Sequence, residues 1–517
     1  MRLPKPQFEV GFVVLFLAML AAVSLADTWV GLKGPESIAS EESHQEMPPR
    51  VGQGHSARLR AFARNLQQLE SSTEQSSALK QFLRMHVQSQ VTHRLGLGNE
   101  KVAVTPMGLV FREDLQWVTG PGFLRQNPGF RPNTSMTMGS QSVPHPDPRP
   151  AILQFAKDCG ERVLILAPIP NKAMFLGKSG EPVNNIDFSR FVAEMRSSGI
   201  RVFWPFGADF TGPETGYLRS DTHWDPDFMA AYARSLRDYL IHQGLRQPGG
   251  ELKYRRQPPR TIENLGDLAR MLDLKPGLGA FGKESALIRP VTTMAGQPWQ
   301  SRPEADLLVL GDSYVNIFSE PGMGWGAHAG LAPTLSYFLQ TDLDVIALNG
   351  AAPTQTRARL ARRDRPLAGK RVVLWFFAVR ELAFGNWRPV PLPLAPDDQG
   401  SPGLVAKAGD EEVLRVRAKL ITPPQTIDPA ATPYANALIN LKFEVLSVLS
   451  GEYGGTELLA QFPLVLDRQR TGAAEMTPGS IVELTLSATA PPDVQNWTLL
   501  DDTEAYHLDV WWVLSVL

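Results

Sequence analysis

Five short apolar runs in the middle third of the chain constrain its fold most: Val163–Ala167, Val202–Phe206, Leu307–Leu310, Val345–Leu348 and Val372–Phe377. Each has the length of a strand, and none alternates apolar with polar residues. A strand that reads this way is buried on both faces, the condition of a parallel sheet covered by helices. Helical patterns at Phe228–Leu240 and Leu331–Leu339 fall between the runs and supply crossovers of the βαβ kind. The expected core is a three-layer α/β/α domain with a mainly parallel sheet. The stretch Ile241–Trp299, rich in Gly, Pro and Arg, interrupts the alternation and reads as an insertion or long excursion.

The flanks read differently. Residues Val10–Ala26 carry no charge and follow Arg2 and Lys5. As a helix the run covers about 25 Å, the short end of a bilayer span. It reads as a transmembrane signal anchor behind a cytoplasmic stretch at 1–9, or as a signal peptide cleaved near Ser24-Leu25-Ala26. Either places Asp27 onward outside the cytoplasm. Residues 27–99 form a tether and helical arm: Leu59, Phe62, Leu66 and Leu69, then Leu79, Phe82, Leu83 and Val87, recur at helical spacing within Ser56–Arg94.

The α/β domain is expected over 100–390, and Pro and Gly then accumulate in a linker at 391–408. Beyond it, at 409–517, the period switches to two. Leu414, Val416, Ala418 and Leu420 alternate with Arg415, Arg417 and Lys419, as do Ile439, Leu441, Phe443 and Val445 with polar neighbours. With Leu464–Leu466, Ile481–Leu486 and Val510–Val513 this reads as a small all-β sandwich or barrel.

Composition narrows the function. The 51 basic and 53 acidic side chains leave a formal charge of −2, which argues against nucleic acid as a partner. One cysteine, Cys159, excludes an internal disulfide framework and a Cys-rich metal cluster, and is expected to be an inert, half-buried thiol. None of the nine histidines shows zinc-ligand spacing, so no metal and no cofactor are expected.

Two segments carry chemistry. At Gly311-Asp312-Ser313-Tyr314 an apolar strand runs into a tight turn that presents a serine, where open α/β sheets place their sites. The Ser313 amide can face a developing oxyanion. A serine needs a base. Ser220-Asp221-Thr222-His223-Trp224-Asp225-Pro226 offers His223, with Asp221 two residues before it. Asp225 and Pro226 form a helix start, which leaves Asp221 and His223 in extended or turn structure where both side chains can lie on one side. Alone, Gly-Asp-Ser also reads as a plain turn and Asp-x-His as a surface pair.

Together the two elements resemble the SGNH hydrolase-like domain of the alginate acetylation proteins AlgJ and AlgX, which carry D-x-H-W upstream of G-[DT]-S-[YF]. The resemblance extends to Pro168-Ile-Pro170-Asn171-Lys172, Gly326–Leu339, Leu348-Asn349-Gly350 and Leu374–Leu382. It departs at Phe376, where the family often has Glu. The resemblance implies a Ser313–His223–Asp221 triad in an exported O-acetyltransferase. Such an enzyme moves an acetyl group, through an acetyl-serine, onto hydroxyls of an extracellular or cell-surface polysaccharide. A membrane-bound O-acyltransferase would deliver the donor, and the site would lie in the periplasm, tethered to the inner membrane. A carbohydrate esterase with the same triad, or a non-catalytic polysaccharide-binding scaffold, are the alternatives.

Asn349 is a candidate oxyanion donor or a strand-ending turn residue. Tyr314, Arg380 and Lys172 are candidates for substrate binding, against packing or structural ion pairs; His328 reads as structural. In the β domain Trp497, Tyr506, Trp511 and Trp512 either stack on sugars or fill the core, with Trp511 and Trp512 facing opposite ways.

Overall fold

A computed structural model describes residues 88–89, 91–124, 147–176, 182–206, 216–247, 249–272, 281–350, 353–393, 413–424, 436–491, 494, 497–500, 503, 505 and 508–516. The apolar run Val10–Ala26, the tether, nearly all of the Ser56–Arg94 pattern, the linker from 394 and Tyr506 lie outside the described residues. Among the described residues no helix is long and apolar enough to cross a membrane. Residues 91–95 are helical and belong to a unit of their own.

All five apolar runs form strands of one sheet: β1 (Val163–Ile169), β2 (Arg201–Val202), β3 (Leu307–Gly311), β4 (Asp344–Ala347) and β5 (Val372–Ala378). Their order is β4–β3–β5–β1–β2, and every neighbouring pair is parallel. The second run is shorter than its sequence suggests: after Phe203 N donates to Leu166 O the chain leaves the sheet.

Successive side chains point to opposite faces. Ile165, Ala167, Val309, Leu374 and Phe376 enter one core with residues of the helices Pro226–His242 and Leu331–Leu339. Leu164, Leu166, Leu310, Val373, Trp375 and Phe377 enter the other with residues of Pro148–Cys159, Phe188–Ser197 and Pro353–Ala361. Covering both faces is what removes polar residues from β1, β3 and β5. The Pro226–His242 helix begins as its sequence requires, with Asp225 accepting the Phe228 N–H at 2.7 Å and Pro226 in the first turn. Its buried stripe of Phe228, Met229, Tyr232, Ala233, Leu236 and Leu240 keeps helical spacing.

The excursion between this helix and β3 is built of two antiparallel ribbons. Tyr254–Arg256 pairs with Val291–Thr293, and Arg260–Asn264 pairs with Glu284–Ile288. Cys159 is fully buried rather than half-buried, and burial pushes its thiol up to about 12.

In the C-terminal region the sandwich-or-barrel alternative resolves to a barrel. Strands β6 (Val413–Leu420), β7 (Ala437–Ser450), β8 (Glu457–Leu466), β9 (Ile481–Ser487) and β10 (Val510–Val516) close as β6–β7–β8–β10–β9–β6. Closure depends on the 14-residue β7. Its first half pairs with β8 and its second with β6, across two register shifts that allow it to bend. Trp511 packs into the barrel core, while Trp512 and Trp497 pack on a small outer cluster of Leu438, Val494 and Leu499.

Trp375 is the aromatic hub of the second core, with ring centroids of Phe155 and Trp387 at 5.2 and 5.5 Å and the Arg357 guanidinium 5.0 Å from its own ring. Trp375→Ala is expected to destabilise the α/β domain by about 3–5 kcal/mol, read as a lowered midpoint in urea denaturation.

Candidate active site

Each candidate near the sheet follows the C-terminal end of a strand: Lys172 after β1, Ser313 after β3, Asn349 after β4 and Arg380 after β5. That edge is where the carbonyl ends of parallel strands leave a crevice. The turn after β3 is fixed by its own residues. A Cβ on Gly311 would lie 2.3 Å from Val315 Cγ2, so only glycine fits. Asp312 caps the short helix Ser313–Asn316, accepting the Tyr314 N–H at 2.9 Å. Its other oxygen accepts the Ala378 N–H of β5 at 3.1 Å and staples the turn to the neighbouring strand.

Ser313, His223 and Asp221 meet in a continuous hydrogen-bonded relay. The Ser313 hydroxyl donates to His223 Nε2 at 2.8 Å, and His223 Nδ1–H donates to Asp221 Oδ1 at 2.6 Å. With Nδ1 carrying the proton toward the carboxylate, Nε2 presents its lone pair to the serine. Asp221 Oδ1 also accepts the His223 main-chain N–H at 3.1 Å. Asp221 Oδ2 accepts the Trp325 indole N–H at 2.9 Å and the Asp267 N–H at 3.1 Å. Burial alone would push the Asp221 carboxyl up. The bond and charge of His223, with the Trp325 N–H, outweigh it and hold Asp221 well below the usual carboxylate range. Burial favours the neutral imidazole, but Asp221 raises the His223 pKa above its ordinary value.

The segment carrying Asp221 and His223 is anchored on several sides. Glu284 accepts the N–H groups of Arg219 and Ser220 at 2.7 and 2.9 Å and the Ser220 hydroxyl at 2.8 Å. Asp267 accepts the Thr222 N–H at 2.7 Å and the Thr222 hydroxyl at 2.6 Å. Lys172 Nζ donates to the carbonyls of Leu218 and Arg219 at 2.6 and 3.0 Å. Glu284, Asp267 and Trp325 were not legible as site residues. The first two belong to the excursion and stand in no motif with Asp221 or His223.

Three of the proposed substrate contacts take structural positions. Lys172 is fully buried with its ammonium on two carbonyls; burial lowers its pKa to about 8, against the surrounding Glu284, Asp221, Asp267 and Asp114. Tyr314 is fully buried, donates to Thr222 O at 2.9 Å and packs its ring 4.8 Å from the His223 ring. Arg380 pairs with the buried Asp114 at 3.0 Å and lies 5.8 Å from the Tyr314 ring. Asn349 keeps its potential as a donor: its Oδ1 accepts from Asn316 Nδ2 at 3.0 Å, which leaves its own Nδ2 as the free end of the amide. His328 acts through its main chain, where its carbonyl accepts the Val291 N–H at 2.8 Å.

Among the described residues Asp221, His223 and Asp267 are the group of ligand-type side chains that converge, with one such atom from each within 4.8 Å of the others. Their polar atoms are already engaged with one another or with Ser313, Thr222 and Trp325, so the cluster is satisfied by hydrogen bonds.

Residues 162–379 match the family model of the SGNH hydrolase-like domain of acetyltransferase AlgX. The resemblance carried by the sequence motifs is thereby borne out, and Asp221, His223 and Ser313 all lie within the matched segment. Solved structures with a partial likeness include the O-acetyltransferase domain of Pseudomonas putida AlgJ, 20% identical, covering 56% of this chain and 92% of that one with a TM-score of 0.39. Pseudomonas aeruginosa AlgX is 14% identical over 65% of this chain and 70% of that one, TM-score 0.34. Bacillus cereus PatB1 is 13% identical over 56% and 99%, TM-score 0.33. No curated protein sequence matches the chain.

Lys172→Met is expected to leave the buried Leu218 carbonyl without its donor and the Arg219 carbonyl with the Leu109 N–H alone, at about 1–3 kcal/mol. Hydrogen exchange at the Ser220 and Thr222 amides should accelerate if Lys172 anchors the segment; unchanged protection there would remove it from that role.

Proposed function

We propose that this protein is an exported O-acetyltransferase that acetylates hydroxyls of an extracellular or cell-surface polysaccharide through an acetyl-serine intermediate. The observation that carries the reading is the unbroken Ser313–His223–Asp221 relay at the sheet edge, in a segment matching an acetyltransferase domain. His223 Nε2 takes the Ser313 proton as Oγ attacks the donor carbonyl, and the tetrahedral oxyanion faces the Ser313 amide and Asn349 Nδ2. Collapse expels the donor's leaving group, which receives the proton from His223. A sugar hydroxyl then gives its proton to Nε2 and attacks the acetyl-serine; the proton returns to Ser313 Oγ as the ester leaves. Asp221 holds the ring and stabilises the imidazolium at each transfer.

The setting is proposed with the reaction. The uncharged run Val10–Ala26 behind Arg2 and Lys5 supports a site in the periplasm beside the inner membrane, where a membrane-bound O-acyltransferase would supply acetyl groups.

The test incubates the full chain with p-nitrophenyl acetate, with and without oligosaccharide acceptors, and weighs both acetyl-enzyme and product by mass spectrometry. Ser313→Ala is expected to abolish acetyl-enzyme and acetylated sugar, and Asp221→Asn to lower turnover about 10³–10⁴-fold. Transfer by Ser313→Ala at the wild-type rate would end the mechanism. Acetate release that no acceptor diverts would assign the site to an esterase.

A further inference from the structure

We propose that Asp267 is a second positioning carboxylate of the relay, one that locks Thr222 and Asp221 in place and sets the basicity of His223; its role in turnover rests on the acetyl-transfer reading.

Asp267 opens the short helix Asp267–Met271, in the excursion between the Pro226–His242 helix and β3. Its backbone reaches the relay because the residue before it is glycine. A Cβ on Gly266 would lie 2.1 Å from Ser220 O and 2.7 Å from Asp221 N, a distance no side chain tolerates. The approach is secured by Gly266 N–H donating to Ser220 Oγ at 3.3 Å and Ala269 N–H to Ser220 O at 3.1 Å.

Both ends of Asp267 are then used. Its N–H donates to Asp221 Oδ2 at 3.1 Å, while its carboxylate takes both donors of Thr222. One residue thus braces the acid of the relay from its main chain and the linking threonine from its side chain. Its Oδ2 lies 3.8 Å from His223 Nδ1, so two carboxylates flank one imidazole nitrogen. A negative charge at that distance in a buried site favours the imidazolium.

The other groups facing His223 are Asp221 and Ser313 by direct bonds, the Thr222 hydroxyl 3.2 Å from Nδ1, the Tyr314 ring, and Arg380, whose positive charge opposes imidazolium formation. Asp114 and Asp312 also feel the imidazole. Asp267 itself faces Asp221, His223 and Lys172. Burial, and then the Asp221 charge, push Asp267 up to about 6. As pH falls through that value Asp267 takes a proton and its support for the imidazolium is lost, so the two groups titrate together.

The experiment compares Asp267→Asn and Asp267→Ser with wild type in the full chain, with two readouts. The first is the ¹⁵N NMR titration of the His223 imidazole, assigned by its loss in His223→Gln. The second is the pH profile of kcat/KM for p-nitrophenyl acetate. Removing a negative charge beside Nδ1 should lower the His223 pKa by about half a unit or more, roughly a threefold change in the protonation constant. The acid limb of the profile should move down in pH with it, and kcat should fall about tenfold with KM little changed. A His223 titration that superimposes on wild type in either folded variant overturns the proposal. The NMR readout does not depend on turnover. Absence of Ser313-dependent ester cleavage in wild type would therefore sink the acetyl-transfer reading, while the imidazole titration still decides the role of Asp267.

Discussion

The local architecture follows from one demand: a carboxylate, Asp221, is buried against an imidazole. An ionised carboxylate taken out of water is unfavourable by several kcal/mol unless donors replace its hydration. Asp221 has four such donors: the Nδ1–H and main-chain N–H of His223, the Trp325 indole and the Asp267 amide. They come from three separate stretches of chain. Satisfying one side chain therefore ties the segment before the Pro226–His242 helix to the excursion and to the loop after Ser313. With both oxygens saturated, the carboxylate has no way to rotate from His223 without abandoning a donor.

The same principle explains how a segment without regular structure holds the His223 imidazole against Ser313. Arg219, Ser220, Thr222 and His223 each place their main-chain N–H on a carboxylate oxygen, from Glu284, Asp267 or Asp221. The carbonyls of Leu218 and Arg219 face Lys172, and the Arg219 carbonyl also accepts the Leu109 N–H at 2.7 Å. A loop whose polar groups are bonded on both edges behaves like a strand paired with side chains. The excursion is thus the outer clamp of the segment that carries His223.

What was legible in the sequence follows from what kind of interaction made each feature. The sheet was readable because a strand buried on both faces must be apolar, and β1, β3 and β5 obey that throughout, as does β4 after its first residue, the ion-paired Asp344. Ser313, His223 and Asp221 were readable as two compact elements, each with its own turn chemistry. Asp267 and Glu284 were not, because an acid in a Gly- and Pro-rich stretch has no local signature when its partners lie 45 and 64 residues away. Lys172, Tyr314 and Arg380 were legible as residues of note, with a ligand contact and a structural contact left as alternatives. Their chemistry suits a ligand as well as a carbonyl or carboxylate, and only burial separates the two. The barrel was left beside a sandwich because period-two alternation reports an inner and an outer face, whereas closure depends on how the long β7 bends.

Charge balance connects the clamp to the proposed chemistry. Lys172 lies among Glu284, Asp221, Asp267 and Asp114, and a pKa near 8 keeps its ammonium protonated at neutral pH. Arg380 is the second cation, held by Asp114 and 5.8 Å from the Tyr314 ring. These two cations offset buried acids without touching the relay, which leaves Asp221 to face His223. In the proposed reaction, where the imidazole takes the serine proton, the charge that forms would meet an aligned carboxylate whose other partners stay in place. A preorganised partner of this kind needs little reorganisation as the charge moves. Its stabilisation of the imidazolium is also why the His223 pKa lies above the ordinary value. The base is strengthened, while the pH at which it becomes free to act moves upward.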